Sequence, residues 1–198
     1  MFIVETKFSK KAKKLKFTIK QIEFVIGSLL GDGYLDKTTC GYSLRIHHSF
    51  IQKDYVDWKY LLVKDFVNSP PKRSKKSYYF RTVSHPILPQ IRALFYQKRT
   101  KVISKELLEK HLGELALAIW IMDDGAREGK SIRINTQSFT KEENLWLIEF
   151  LRAKLGIKTT LNRDRKKFRL RVRKESIPLL KLKISKYIIP SMLYKLPP

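Results

Sequence analysis

Two aspartates carry the clearest chemical signal in this chain. Asp32 lies in "IGSLLGDGYL", residues 26–35, and Asp124 in "AIWIMDDGAR", residues 118–127; each closes an apolar run and is followed by glycine. Carbonyls gathered at a helix C-terminus act as a partial negative charge, so a carboxylate there is locally unfavourable. A bound cation reverses that sign. If the two helices pack side by side about a pseudo-twofold axis, both carboxylates emerge at adjacent C-termini among carbonyl oxygens, a hard-oxygen environment that suits Mg²⁺. Gly27 and Gly31 in one run and Ala116 and Ala118 in the other are small enough for the backbones to approach closely. Gly33 and Gly125 suit the left-handed position that ends many helices.

The elements needed to position these acids are written twice. Asp32 and Asp124 stand 92 positions apart in a chain of 198 residues, and their surroundings repeat in the same order. A strand follows each Asp-Gly, "YSLRIHHSF" and "KSIRINTQSF"; a helical segment comes next, "QKDYVDWKYLLVKDF" and "TKEENLWLIEFLRAKLG", which sets Trp58 against Trp146. Further strands follow, "SYYFRTV" and "KFRLRVRK", and then helices bearing Ile87 and Ile91 or Ile177, Leu180 and Ile184. The pattern predicts an α+β fold, a duplicated αββαββα with pseudo-twofold symmetry. Its halves are 1–102, opening with a basic, solvated arm over 1–17, and 103–198, joined near residues 100–106.

Alternation with a period of two divides each strand into faces. Phe168, Leu170 and Val172 oppose Arg169, Arg171 and Arg173; Ile132 and Ile134 oppose Arg133 and Asn135; Leu44 and Ile46 oppose Arg45 and His47. The apolar faces pack on helices, and the other faces carry no acid of their own in these segments. Arginine can hydrogen-bond guanine bidentately and asparagine can do so with adenine, which fits a concave ribbon to the DNA major groove. The loop "SPPKRSKKS", with Lys72, Arg73, Lys75 and Lys76, and the turn "NRDRKK", with Arg163 and Arg165, suit backbone phosphates. Arg81 completes the expected DNA-facing set. His47 and His48 are weak candidates for metal ligation or general base chemistry, because His47 lies on the DNA face and nothing in the second half matches it.

Overall charge agrees with this reading. Lys and Arg number 42 against 18 Asp and Glu, a net +24, and such self-repulsion implies a polyanionic partner, double-stranded DNA first. No apolar stretch reaches the roughly 18 residues of a membrane span, and the basic N-terminus lacks the features of a secretory signal. Cys40 is the sole cysteine, consistent with a reducing interior such as an organelle matrix or prokaryotic cytoplasm. No helix-turn-helix candidate is visible, which weighs against a simple regulator.

"VIGSLLGDG" and "LAIWIMDDG", with "SPPKR", "NTQSFT" and "IIPSMLYKLPP", resemble the two motifs and flanking segments of single-chain, intron-encoded LAGLIDADG homing endonucleases. Ile119 departs from the signature at its third position, and Leu30 and Met122 at its first Asp; these positions serve helix packing, and the eighth-position acid is kept twice. The resemblance implies a saddle of two antiparallel sheets on DNA, acting as a monomer, with two or more divalent ions beneath the motif helices. It implies catalytic roles for Asp32, Asp124, Lys101 and Lys195, and metal contacts from the Gly31 and Asp123 backbone carbonyls; no side chain is required at Asp123, whose counterpart is Gly31. The expected reaction is Mg²⁺-dependent double-strand cleavage of a long, pseudo-palindromic or asymmetric target. An RNA maturase assisting intron splicing on the same fold, which would not need both acids, and a non-cleaving DNA-binding regulator are the alternatives; retention of both acids argues against a purely non-cleaving descendant.

Overall fold

The computed structural model of the chain describes residues 6–198; the first five residues of the expected arm lie outside them. In order, the elements are α1 (Lys7–Ala12), α2 (Ile19–Leu30), β1 (Tyr34–Thr38), β2 (Gly41–Ser49), α3 (Lys53–Val63), β3 (Lys72–Ser74), β4 (Ser77–Arg81) and α4 (Ile87–Phe95). A small hairpin, β5 (Tyr96–Gln97) and β6 (Thr100–Lys101), and α5 (Lys105–His111) lead to the second unit. That unit runs α6 (Glu114–Asp124), β7 (Gly125–Glu128), β8 (Ser131–Ile134), α7 (Lys141–Leu155), β9 (Thr159–Asp164), β10 (Lys167–Val172) and α8 (Ile177–Ile184). The sheets are antiparallel and share one topology, β1-β2-β4-β3 and β7-β8-β10-β9. This is the duplicated αββαββα, with a linking hairpin and α5 added.

Local sequence explains the helices that hold the site. Thr18 starts α2 by accepting from the Gln21 N–H, while the Gln21 side chain accepts from the Thr18 N–H; Thr140 and Glu143 do the same for α7. Gly156, at φ +71°, ends α7 in the left-handed region. Helix α6 is apolar on every side, with Leu115 to Met122 all buried, as a central helix must be. It runs beside α2. The Glu23 carboxylate of α2 accepts the Leu115 and Ala116 N–H groups at the start of α6, and a Cβ at Gly27 would stand 2.5 Å from the Ala116 carbonyl oxygen. Small residues therefore set the helix separation, as expected.

Four expectations are corrected. Gly33 and Gly125 are not left-handed: Gly125 has φ −71°, and α2 ends on Gly31 at φ −97°. Glycine is required there for space, since a Cβ at Gly125 would lie 2.4 Å from the Ile121 carbonyl oxygen and one at Gly33 2.8 Å from Ser28 Cβ. The arm is packed and not merely solvated: Ala12 is buried, His85 Nε2 lies 2.9 Å from the Leu15 carbonyl oxygen, and Phe17 stacks on Phe66 at 4.0 Å. The "SPPKRSKKS" segment is a loop only at its ends, because residues 72–74 pair with β4. In "NRDRKK" the strands continue to Asp164 and resume at Lys167, leaving a two-residue turn.

Candidate active site and nucleic-acid interface

The C-termini of α2 and α6 bring Asp32 and Asp124 together. Burial and the charges of Asp32 and Asp123 push the Asp124 carboxyl up to about 7, and burial with the Asp123 charge raises Asp32. Lys101 and Lys195 lie within electrostatic reach of both acids. Each lysine clasps the carbonyls on either side of one acid. Lys101 Nζ donates to Gly31 O at 2.6 Å and Gly33 O at 2.7 Å; Lys195 Nζ donates to Asp123 O at 3.2 Å and Gly125 O at 2.8 Å. These bonds answer the local dipole: an ammonium neutralises carbonyls that would otherwise repel the carboxylate between them. Burial also draws the Lys101 ammonium down to about 8. The Gly31 and Asp123 carbonyls therefore face these lysines, each keeping a second lone pair.

Asp123 overturns the expectation that its side chain is idle. Its carboxylate is fully buried, as is Lys59, whose Nζ donates to both oxygens at 2.7 and 2.9 Å. Tyr55 OH donates to Oδ1 at 2.8 Å, and the Asp32 backbone N–H donates to Oδ2 at 3.2 Å. A buried carboxylate needs such partners to offset its lost hydration. His48 belongs to the same cluster, with Nε2 3.3 Å from Lys59 Nζ and Nδ1 3.7 Å from an Asp32 oxygen. Burial and the Lys59 charge push His48 down to about 4, which keeps it a neutral imidazole. Asp32, His48 and Asp123 offer ligand atoms within 4.8 Å of one another. Lys59 already takes both Asp123 oxygens, however, so this trio reads as an ion-paired network and leaves Asp32 and Asp124 as the acids free to hold a cation. The signal for Lys59 was present in the sequence: it falls four after Tyr55 and three after Val56, on the buried stripe of α3.

The proposed nucleic-acid contacts spread over the two sheets. On β2, Leu44, Ile46 and His48 point to the core, while Arg45 and His47 point outward. Arg45 pairs directly across from Arg81, and Arg133 directly across from Arg171, an arrangement of like charges that costs stability unless something anionic lies over it. Acids from neighbouring strands meet some of these arginines, which corrects the acid-free faces read from the individual segments. Asp36 lies 3.7 Å from Arg45, Glu128 lies 3.6 Å from Arg133 and 3.3 Å from Arg171, and Asp164 lies 3.4 Å from Arg169. Arg173 falls beyond β10 and pairs with Glu175 at 2.7 Å. Asn135 sits beside the acids, its N–H donating to the Asp124 carbonyl at 3.0 Å. The hairpin tips match in detail: Arg73 Nε donates to Lys75 O and Arg163 Nε to Arg165 O, with Lys75 and Arg165 both at positive φ. Lys72 and Lys76 are exposed on the first of these hairpins.

Fold and site together define a pseudosymmetric helix seam that presents paired acids between two cationic sheets. The chain belongs to the LAGLIDADG DNA endonuclease family, whose profile matches residues 22–180. It is 34% identical to cytochrome b mRNA maturase bI2 of Saccharomyces cerevisiae over 88% of its length, and spans about half of that relative, 47%. It is 38% identical to intron-encoded endonuclease ai4 of Dictyostelium discoideum over 68% of this chain and 80% of that one. The homing endonuclease I-WcaI, solved bound to its DNA recognition sequence, superposes with a TM-score of 0.87 at 26% identity, covering 98% of this chain and 94% of its own. No helix among the described residues is long and apolar enough to cross a membrane.

Proposed function

We propose that this chain is a site-specific homing endonuclease that cuts both strands of a long, pseudo-palindromic or asymmetric DNA target, acting as a monomer with Mg²⁺. The observation that carries the reading is the pair of electrostatically coupled carboxylates at the seam, each flanked by carbonyls clasped by a lysine. The donor set fits divalent ions, because burial and mutual repulsion disfavour two carboxylates that a dication would reconcile. Asp32 and Asp124 would hold the ions, with the Gly31 and Asp123 carbonyls beside them; ions bound there would lower the pKa of water and offset negative charge on the scissile phosphates. Lys101 and Lys195 hold the carbonyls in place and offset charge as it develops on phosphorus. The arginines of both sheets, with Asn135 and His47, read bases or grip phosphates, and the two hairpin tips take the backbone. The halves 1–102 and 103–198 each address one side of the target.

Linearisation of a plasmid carrying the target tests this. We expect it to require Mg²⁺ and to fall by about a hundredfold or more in Asp32→Asn and Asp124→Asn, with DNA affinity in Ca²⁺ retained. Efficient cleavage by both variants would falsify the assignment. A splicing role on the same scaffold is favoured by one observation, the likeness to a yeast mRNA maturase. Tight, specific binding of its own intron RNA without scission of DNA would promote that reading over the nuclease.

A further inference from the structure

The Asp123 network has no copy in the second unit. Strand register equates Arg45 with Arg133, so Thr136 stands where His48 does, and the matched tryptophans put Leu147 in the place of Lys59. Thr136 turns instead to Asn144 and to the Leu170 N–H. Gly31 occupies the place of Asp123, and only glycine fits, because a Cβ there would lie 2.4 Å from Asp123 Cβ and 2.5 Å from its Oδ2. Asp32 is consequently held through its backbone, its N–H donating to Asp123 Oδ2, while its carboxylate lies 3.7 Å from the neutral His48 Nδ1, beyond hydrogen-bond reach. Lys59 donates to His48 Nε2, which leaves the proton on Nδ1, where Gln52 Oε1 accepts it at 3.2 Å. Gln52 in turn reaches Tyr194, the neighbour of Lys195. Among the described residues no hydrogen bond or ion pair holds the Asp124 carboxylate.

We propose that Lys59, Asp123 and His48 form a positioning unit that hydrogen-bonds Asp32 and not Asp124, so that the two scissile phosphates are hydrolysed at unequal rates and the strand addressed through Asp32 is cut first. The inference rests on the nuclease reading and adds to it an asymmetry and the residues responsible. A carboxylate ligand keeps its orientation only where outer hydrogen bonds fix it, and losing such a partner costs about 10- to 100-fold in affinity or rate. None of the three residues needs to touch DNA.

The test follows each strand separately, with end label, on a supercoiled or linear target in Mg²⁺. Wild type is expected to cut one strand about tenfold faster than the other, and Lys59→Met/Asp123→Asn to slow that strand selectively until the rates agree within about threefold. The double variant removes both buried charges together; should it not fold, His48→Phe, which leaves the ion pair intact, is expected to slow the same strand. Calorimetric titration of Ca²⁺ into the protein–DNA complex gives a readout independent of turnover: the variants should weaken one of the ion affinities by about tenfold and spare the rest. Equal strand rates in wild type, or variants that slow both strands alike with ion affinities unmoved, overturn the inference and leave the nuclease reading standing. A wild type that binds its target and cuts neither strand overturns both.

Discussion

Asp124 links chemistry to stability through its proton. Its carboxyl titrates near 7 in the folded chain against an ordinary 3.8, chiefly because of burial and then the charge of Asp32. Between those values the native state holds more protons than the unfolded one, so the metal-free protein loses stability as pH rises from about 4 to about 7. Thermal unfolding in chelator should show that decline, Asp124→Asn should flatten it, and Mg²⁺ at pH 7.5 should restore the melting temperature of wild type. Lys101, drawn down to about 8, has the opposite sign: its buried ammonium disfavours the fold until it deprotonates, so stability recovers above pH 8. Lys59 behaves as half of a buried pair. Replacing it alone with Met leaves the fully buried Asp123 carboxylate uncompensated, and denaturant unfolding should register a loss of about 3–5 kcal/mol. The acids themselves were legible from the sequence because each violates the helix dipole at an equivalent place. Asp123 was not, since comparison with Gly31 argued that no side chain belonged there, and only the packed seam reveals that one copy's emptiness accommodates the other's carboxylate.

At the level of elements, the αββαββα order could be read because strand alternation and helix caps recur with the same spacing in both units. Strand β3 escaped because Pro70 and Pro71 precede three cationic or polar residues that give no apolar alternation; its hydrogen bonds come from β4, whose pattern is clear. Helix α5 escaped because it lies in the link, outside the repeat that guided the reading. The arm was misread for a related reason: its charge pattern hides the few residues, Ala12 and Phe17, that attach it to the core. The glycines of α2 were recognised, but spacing alone could not say which of them answers to a backbone. Gly27 does, facing the Ala116 carbonyl and Cα at 2.5 and 2.8 Å. Neither atom can rotate away, so Gly27→Ala must push α2 from α6, and urea unfolding should show a loss of about 1–3 kcal/mol with impaired cleavage.

For the whole molecule, the nuclease reading predicts a DNA affinity steeply sensitive to salt, given a net charge of +24 and arginines facing arginines across strands. Replacing Lys72, Arg73, Lys75 and Lys76 by Ala should lower the slope of log affinity on log salt by up to about 0.9 for each phosphate that is no longer neutralised. An unchanged slope would mean that this hairpin tip does not touch the backbone. The seam between the units carries a further implication. Two identical subunits meeting on a true dyad must present the same residue to each other, and here either choice fails: paired aspartates would collide over one space, and paired glycines would leave Lys59 with no counter-ion. Joining both copies in one polypeptide frees each to mutate without the other. The lopsided join is therefore a structure that tandem fusion permits and that self-association of equal copies forbids.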